Sequence, residues 1–382
     1  MKPVYLDNGA TSFPKAPGVS AAMVHYLDDI GANVNRGTYA SALDASLTVL
    51  DTRTKLAALF HFTEPERQVI FVPGATEGLN LILRGVLRPG DHVIVSSMEH
   101  NAVMRPLTEL ADGGVAFSRI PADRDGVTRP GDLLPLLRPN TRLVLVSHAS
   151  NVSGTIFPLE ETAALCRERG IPLAVDGAQT AGHLPIDFSG LHLSALCVPG
   201  HKGLLGPQGI GAVLLSREFA SELSPLVTGG TGSASDSERQ PPYLPDKFES
   251  GTQNLPGIFG LHAALEYVES RGVDTLRRRE TELTGMLLES LRGLPVRVAG
   301  PSDPARRVGV VSLDFSGQDN AAIAYRLESE FGILTRCGLH CAPGAHKTLG
   351  TFPQGTVRLS LGHATTEEDL AAAAAAVRAV CR

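Results

Sequence analysis

Residues 195–215 read ALCVPGHKGLLGPQGIGAVLL. Two short apolar runs, 195–198 and 212–215, flank a glycine-rich centre that holds Pro199, Gly200, His201 and Lys202. Short apolar runs bounded by turn formers are the pattern of strands buried on both faces. The same pattern recurs upstream at residues 68–72, 92–96, 143–147 and 173–175, punctuated by Pro73-Gly74 and Pro89-Gly90-Asp91. Stretches 76–87, 102–112 and 159–169 fit helices between them. Continuous apolar strands alternating with helices predict an α/β fold, a mostly parallel sheet covered on both faces.

Beyond this sheet the pattern changes. Residues 228–246 (TGGTGSASDSERQPPYLPD) lack apolar periodicity, and a loop that long in a compact domain is functional or mobile. Helical stretches follow at 256–269, 273–291 and 319–331, with strands at 308–315 and 355–361. A final helix begins near Thr365, with Glu368 three residues on as a capping box. We expect a large domain over residues 15–254 and a smaller α+β domain over 1–14 and 255–382.

A chain of 382 residues with a net charge of −6 and mixed signs offers no basic face for nucleic acid. The first residues lack an apolar segment of signal-peptide type, and the longest apolar run, 370–377, is too short to span a bilayer. Five cysteines without a CxxC pair argue for reduced thiols in a cytoplasmic setting and against a structural zinc.

Ligands of parallel sheets sit at the carboxyl ends of the strands. Those ends are unusually polar here: Glu99-His100, Asn151, Asp176 with Gln179, and His201-Lys202. A lone lysine is normally a solvated surface group. One partly desolvated at a strand end loses its proton more readily and can form a Schiff base with an aldehyde. Pyridoxal phosphate would need an acid partner for its ring nitrogen, a role that suits Asp176. Its phosphate would need a helix start, and Gly74-Ala75-Thr76-Glu77 supplies one. Read alone, Thr76 is equally an ordinary N-cap.

Ordered motifs now make the resemblance specific. They include Tyr5-Leu6-Asp7-Asn8-Gly9-Ala10-Thr11-Ser12, Asn35-Arg36-Gly37, Gly74-Ala75-Thr76-Glu77-Gly78-Leu79-Asn80 and Met98-Glu99-His100. Others are Ser147-His148-Ala149-Ser150-Asn151, Asp176-Gly177-Ala178-Gln179, Gly200-His201-Lys202 and Phe248-Glu249-Ser250-Gly251-Thr252. The last are Arg336-Cys337-Gly338-Leu339-His340-Cys341-Ala342-Pro343 and Val357-Arg358-Leu359-Ser360. Almost end to end, the chain resembles class V, fold-type I pyridoxal-phosphate enzymes of the cysteine desulfurase family, in the short-catalytic-loop (Suf-type) branch. That resemblance implies a seven-stranded type of large-domain sheet and a small domain that carries the catalytic cysteine.

It also implies roles. Lys202 holds the cofactor and moves protons, Asp176 pairs with the ring nitrogen, and Gln179 and Asn151 lie near the ring hydroxyl. His100 stacks on the ring, where the bland alternative is a satisfied core histidine. Thr76 and His201 contact the phosphate, and Thr252 reaches the cofactor of a second subunit, so a homodimer is implied. Arg358 binds the substrate carboxylate, with Arg336 and Asn35 also at the substrate. Most cysteines are inert and buried, which fits Cys166 and Cys197. Cys341 differs: it lies in a Gly/Pro-bounded loop beside His340, with Arg336 close in sequence, and neighbouring positive charge would favour the thiolate. The implied reaction converts L-cysteine to L-alanine and leaves a persulfide on Cys341, to be passed to a sulfur-acceptor protein. An iron–sulfur scaffold, a tRNA-modifying pathway and a cofactor pathway are all open as destinations.

Two departures stand out. Pro199 replaces a hydroxyl residue usual in the family, which removes one phosphate hydrogen bond, and Cys337 stands where Thr or Ser is common and reads as a bystander. Sister enzymes, a selenocysteine lyase or a cysteine C–S lyase, would keep the same residues and stay open as alternatives. A non-catalytic scaffold is the remaining alternative, and the intact Lys202, Asp176, His100, Arg358 and Cys341 weigh against it.

Overall fold

The computed structural model describes residues 3–34, 37–315 and 317–381, so Asn35 lies outside the described residues. In chain order its strands are β1 (Val4–Tyr5), β2 (Val69–Val72), β3 (His92–Ser96), β4 (Ala116–Ile120), β5 (Thr141–Ser147), β6 (Leu173–Asp176) and β7 (Ala195–Pro199). Then come β8 (Gly211–Leu215), β9 (Arg297–Ala299), β10 (Val310–Asp314), β11 (Ile333–Leu334), β12 (Arg336–Gly338) and β13 (Thr356–Ser360). Seven form one sheet in the order β2-β8-β7-β6-β5-β3-β4. Only β8 runs antiparallel to its neighbours, and the expected α/β sheet is observed.

Alternation explains the runs. Val69 and Phe71 face one apolar layer and Ile70 and Val72 the other; Val144 and Val146 oppose Leu143 and Leu145 in the same way. On one face the helix Ala75–Val86 buries Leu79, Ile82, Leu83 and Val86, a 3.6-residue stripe in which each side chain contributes about 1.5–3 kcal/mol. Gly78 lets this helix approach: a Cβ there would stand 2.5 Å from both Cys197 Sγ and Val213 Cγ2. The close packing brings the helix start up to the ends of the neighbouring strands.

A four-stranded antiparallel sheet, β12-β13-β10-β9, forms a separate layer, while β1 pairs in parallel with β11. Leu6 joins the apolar cluster of Val311, Leu313, Val357 and Leu359. Residues near the N-terminus are thereby fixed beside Ser360, through the Asp7–Ser360 bridge.

Three of the departures from the sequence reading have a plain physical cause. Strand β4 is half-exposed at the sheet edge, so it lacks a continuous apolar run. Helix Ala40–Leu59 buries Ala42, Ala45, Val49, Arg53 and Leu56 yet exposes Leu43, Leu47 and Leu50, which erases its periodic contrast. The last capping box is Thr366 with Asp369, one residue beyond the expected pair, because the Thr365 hydroxyl accepts from the Gly362 amide instead. Residues 228–246 contain no helix or strand, but Gln240 ties them together: it accepts from the Gly229 amide and donates to the Asp246 carbonyl and the Ser250 hydroxyl.

A buried ion pair pins the segment that follows. Arg53 donates two bonds to Glu249, at 2.8 and 2.7 Å, and its guanidinium lies 4.4 Å from the Phe71 ring centroid. Glu249 also accepts from the Phe71 amide at 2.7 Å. Removing one partner strands a buried charge, so Glu249→Ala is expected to cost about 3–5 kcal/mol, measured by denaturant unfolding. A joint Arg53→Met, Glu249→Leu replacement should recover much of that loss. Failure to recover it would mean the pair does more than satisfy itself.

Candidate active site

The carboxyl ends of β5, β6 and β7 and the starts of helices Ala75–Val86 and Asn101–Asp112 surround one cavity of about 610 Å3, counting its open mouth. Gly74, Ala75, Thr76, His100, Ser147, Asn151, Asp176, Gln179, Pro199, His201 and Lys202 line it. A second cavity, of about 900 Å3 counting its open mouth, also touches Lys202 and Gln179, but it lacks Asp176, His100 and the helix start. The chemistry converges on the first.

Burial pushes the Lys202 amine down to about 8; Arg358 and Arg336 add to the shift, while Asp176 and Cys341 oppose it. Asp176, 5% exposed, has its carboxyl raised by burial, opposed by the Ala178 amide at 2.9 Å, by Lys202 and by Ser147. A buried carboxyl and a buried amine thus face one space. His100 is the N-cap of its helix: Nδ1 accepts from the Ala102 amide at 3.0 Å, which leaves the ring proton on Nε2. Burial and the charge of Lys202 push this imidazole down to about 4, so it is neutral at pH 7.

Thr76 is not an N-cap. The helix starts at Ala75 with Gly74 in the capping position, and Thr76 lies in the first turn, where amides lack intrahelical acceptors. His201 meets the Thr11 hydroxyl at 3.1 Å, and its carbonyl accepts from Lys15 at 3.0 Å. The Gln179 amide donates to the Gly9 carbonyl at 3.1 Å and the Asn151 amide to the His340 carbonyl at 2.6 Å. Asn151 therefore ties the cysteine loop to the sheet, a task its sequence context did not suggest.

That loop is a tight turn. His340 and Cys341 have φ of 47° and 57°, the Ala342 amide donates to the Leu339 carbonyl at 2.8 Å, and the Cys341 carbonyl accepts from the Asn101 amide at 2.7 Å. Cys341 is exposed. The expectation that His340 supplies positive charge to it is corrected: burial drives that imidazole down to about 2, so it is neutral. Positive charge near it comes from Arg358, which interacts with Cys341 and whose Cα on β13 stands opposite that of the expected Arg336 on β12. Like charges directly opposed on neighbouring strands repel. Asp7 relieves part of this, accepting from Arg358 at 2.8 Å, and the Asn151 carbonyl accepts at 3.1 Å. Nε of Arg358 is buried with no acceptor among the described residues, an unused donor of the kind that suits a carboxylate ligand.

Cys337 pairs with Val357, one residue out of step with the arginines, and strand alternation turns it to the opposite sheet face. Burial pushes the Cys166 thiol up to about 12 and raises the Cys197 thiol well above its ordinary range, in keeping with inert core groups. Thr252 is exposed and lines a different cavity with Leu226, Val227 and Phe248, apart from Lys202.

A family model for class-V aminotransferases matches residues 4–372. A probable cysteine desulfurase of Methanothermobacter thermautotrophicus is 32% identical over 375 residues, which is 96% of this chain and 92% of that protein. The chain belongs to the cysteine desulfurase family of class-V aminotransferases. An apo cysteine desulfurase structure from Thermococcus onnurineus NA1 matches with a TM-score of 0.92 at 30% identity, covering 99% of this chain and 94% of that one. The Escherichia coli cysteine desulfurase CsdA matches at a TM-score of 0.87 and 28% identity, over 98% and 94%. For a cysteine desulfurase family member, the residues quoted in the sequence but given no role there are Asp7, which braces Arg358, and the buried Glu99 and Ser147 behind Asp176. Glu99 had a visible signal, since an acid just past the end of an apolar strand is placed where burial demands donors.

Proposed function

We propose that this chain is a pyridoxal-phosphate-dependent cysteine desulfurase that converts L-cysteine to L-alanine and stores the sulfur on Cys341. The observation that carries this reading is the convergence of Lys202, Asp176 and His100 on one cavity, with the Cys341 turn tied to the same elements through Asn101 and Asn151. The donor set fits the cofactor: a lysine of lowered basicity, a buried carboxyl for the ring nitrogen, a neutral imidazole at the wall and a free helix start for the phosphate. When bound, the cofactor supplies an electron sink next to the substrate Cα.

The chain's own residues do the rest. Arg358, with Arg336 beside it, holds the substrate carboxylate. Lys202 takes the Cα proton and later returns one. The Cys341 thiolate attacks the substrate sulfur; the S–S bond forms as the C–S bond breaks, and the carbon skeleton regains protons to leave as alanine. Cysteine and one thiol become alanine and one persulfide, with no outside oxidant.

Thr252 is exposed, and its chain neighbours Gly251 and Gln253 share a cavity with Leu50 of the helix that exposes Leu43 and Leu47; this fits a homodimer in which Thr252 reaches the partner's cofactor phosphate. Five free thiols fit a reducing, cytoplasmic setting, and a sulfur-acceptor protein would take the persulfide. No helix among the described residues is long and apolar enough to cross a membrane.

The test is product analysis. With L-cysteine and a thiol reductant, alanine and sulfide should appear in equal amounts; pyruvate would mean β-elimination and overturn the reading. Pro199 lines the cavity without a side-chain donor. Pro199→Ser should therefore tighten cofactor binding about tenfold, the worth of one hydrogen bond to a charged group. Titration of the cofactor-free enzyme with pyridoxal phosphate reads this, and an unchanged dissociation constant would contradict it.

A further inference from the structure

Behind Asp176 lies a second carboxyl that the mechanism does not use. Glu99 follows β3, is 1% exposed, and meets no Lys, Arg or His partner among the described residues. A carboxylate in so dry a place needs donors. Glu99 has four: the Ser96 amide at 3.3 Å, the Ser147 amide at 2.9 Å, the Ser147 hydroxyl at 2.7 Å, and the Ser96 hydroxyl. Those bonds alone would make it a clamp between β3 and β5. The contact beyond the clamp is the one that matters: Ser147 Oγ also lies 3.5 Å from Asp176 Oδ2.

A serine hydroxyl carries one proton and two lone pairs, so Ser147 donates to one carboxyl at a time. We propose that Glu99 is a positioning residue for the cofactor, one that sets the charge and orientation of Asp176 through the Ser147 hydroxyl. The inference rests on reading Asp176 as the partner of the cofactor's ring nitrogen. While Glu99 is ionised, Ser147 donates to it, and Asp176 keeps only the Ala178 amide at 2.9 Å. Once Glu99 is protonated, its own proton goes to Ser147 Oγ, and the Ser147 proton turns to Asp176. Asp176 then gains a donor and loses a neighbouring negative charge, both of which favour its ionised form.

The surroundings permit this exchange near neutral pH. Burial pushes Glu99 up to about 7 despite its donors, and Asp176 adds to that shift. Asp176 is the one charged group acting on Glu99; Lys202 acts on Asp176, and the adjacent His100 is held neutral. Ser96 and Ser147, from β3 and β5, are uncharged.

Glu99→Gln separates the proposal from a plain clamp. A glutamine can accept the two amides and the Ser96 hydroxyl with its oxygen while its nitrogen donates to Ser147, which locks Ser147 onto Asp176. Ser147→Ala removes the relay and keeps most of the clamp. Cofactor affinity of the cofactor-free enzyme, and the absorption of bound cofactor across neutral pH, are read for both variants and for Asp176→Asn. We expect Ser147→Ala to weaken affinity about tenfold, the worth of one hydrogen bond to a charged group. Glu99→Gln should hold wild-type affinity at its low-pH value and lose the wild-type difference between acid and alkaline spectra. Wild-type affinity in Ser147→Ala together with an unaltered pH response in Glu99→Gln would overturn the proposal. Unchanged affinity and spectra in Asp176→Asn would instead overturn the reading of Asp176 on which it stands.

Discussion

Lys202→Ala is expected to abolish L-cysteine turnover, lowering the rate by at least about 10⁴-fold, because in the proposed mechanism one side chain both anchors the cofactor and moves the Cα proton. The two roles can be told apart. Wild-type enzyme treated with borohydride should carry the cofactor covalently after denaturation; the variant should release all of it. Added alkylamine should restore some proton transfer to the variant without restoring attachment. The pH dependence follows from the site: burial holds the amine at about 8, far below an ordinary lysine. Its reactive form is the free amine, present above that value and lost as pH falls through it. Capture of pyridoxal phosphate by the cofactor-free enzyme should thus rise about tenfold between about pH 7 and pH 9 and then level off. A rate still climbing steeply beyond that range would mean an ordinary lysine and a different account of the cavity.

Cys341→Ala should remove alanine formation from L-cysteine by at least about 10³-fold, less than loss of its nucleophile costs a serine protease. The site gives this thiol no substitute. Cys337 lies on the opposite sheet face, and Cys166 and Cys197 are buried with raised pKa values. The turn itself should survive, since its backbone is anchored by the Asn101 amide, the Asn151 side-chain amide and the Leu339 carbonyl rather than by the sulfur. Selenocysteine separates the enzyme from its sister: selenide leaves without a nucleophile far more readily than sulfide. A variant inactive on both substrates would point to a damaged loop, whereas one fully active on cysteine would move the assignment to a lyase. Wild-type activity on selenocysteine alone would do the same.

The sheet was legible because strands buried on both faces must be apolar throughout; residues 68–72 and 195–198 could be read without knowing their partners. The positions of Lys202, Asp176 and His100 followed from the rule that ligands collect at strand ends. What stayed hidden depends on neighbours distant in sequence. The hydrogen bond from Arg358 to Asp7 spans 351 residues, and the Ser147–Asp176 contact exists only because β5 lies beside β6. His340 illustrates the converse error: a histidine beside a cysteine suggests charge, but burial makes it neutral. Helix Ala40–Leu59 escaped detection because both faces carry apolar side chains. That is what an uncovered face of a subunit would show.

Sulfur on Cys341 is the claim on which the mechanism turns. The direct measurement treats purified, cofactor-loaded enzyme with L-cysteine and no reductant, then compares alanine released with the mass of each cysteine-containing peptide. About one alanine per active site is expected, with one added sulfur atom on the Cys341 peptide and none on the peptides of Cys166 and Cys197. Alanine released without added sulfur on Cys341, or sulfur found there without alanine, would contradict the account.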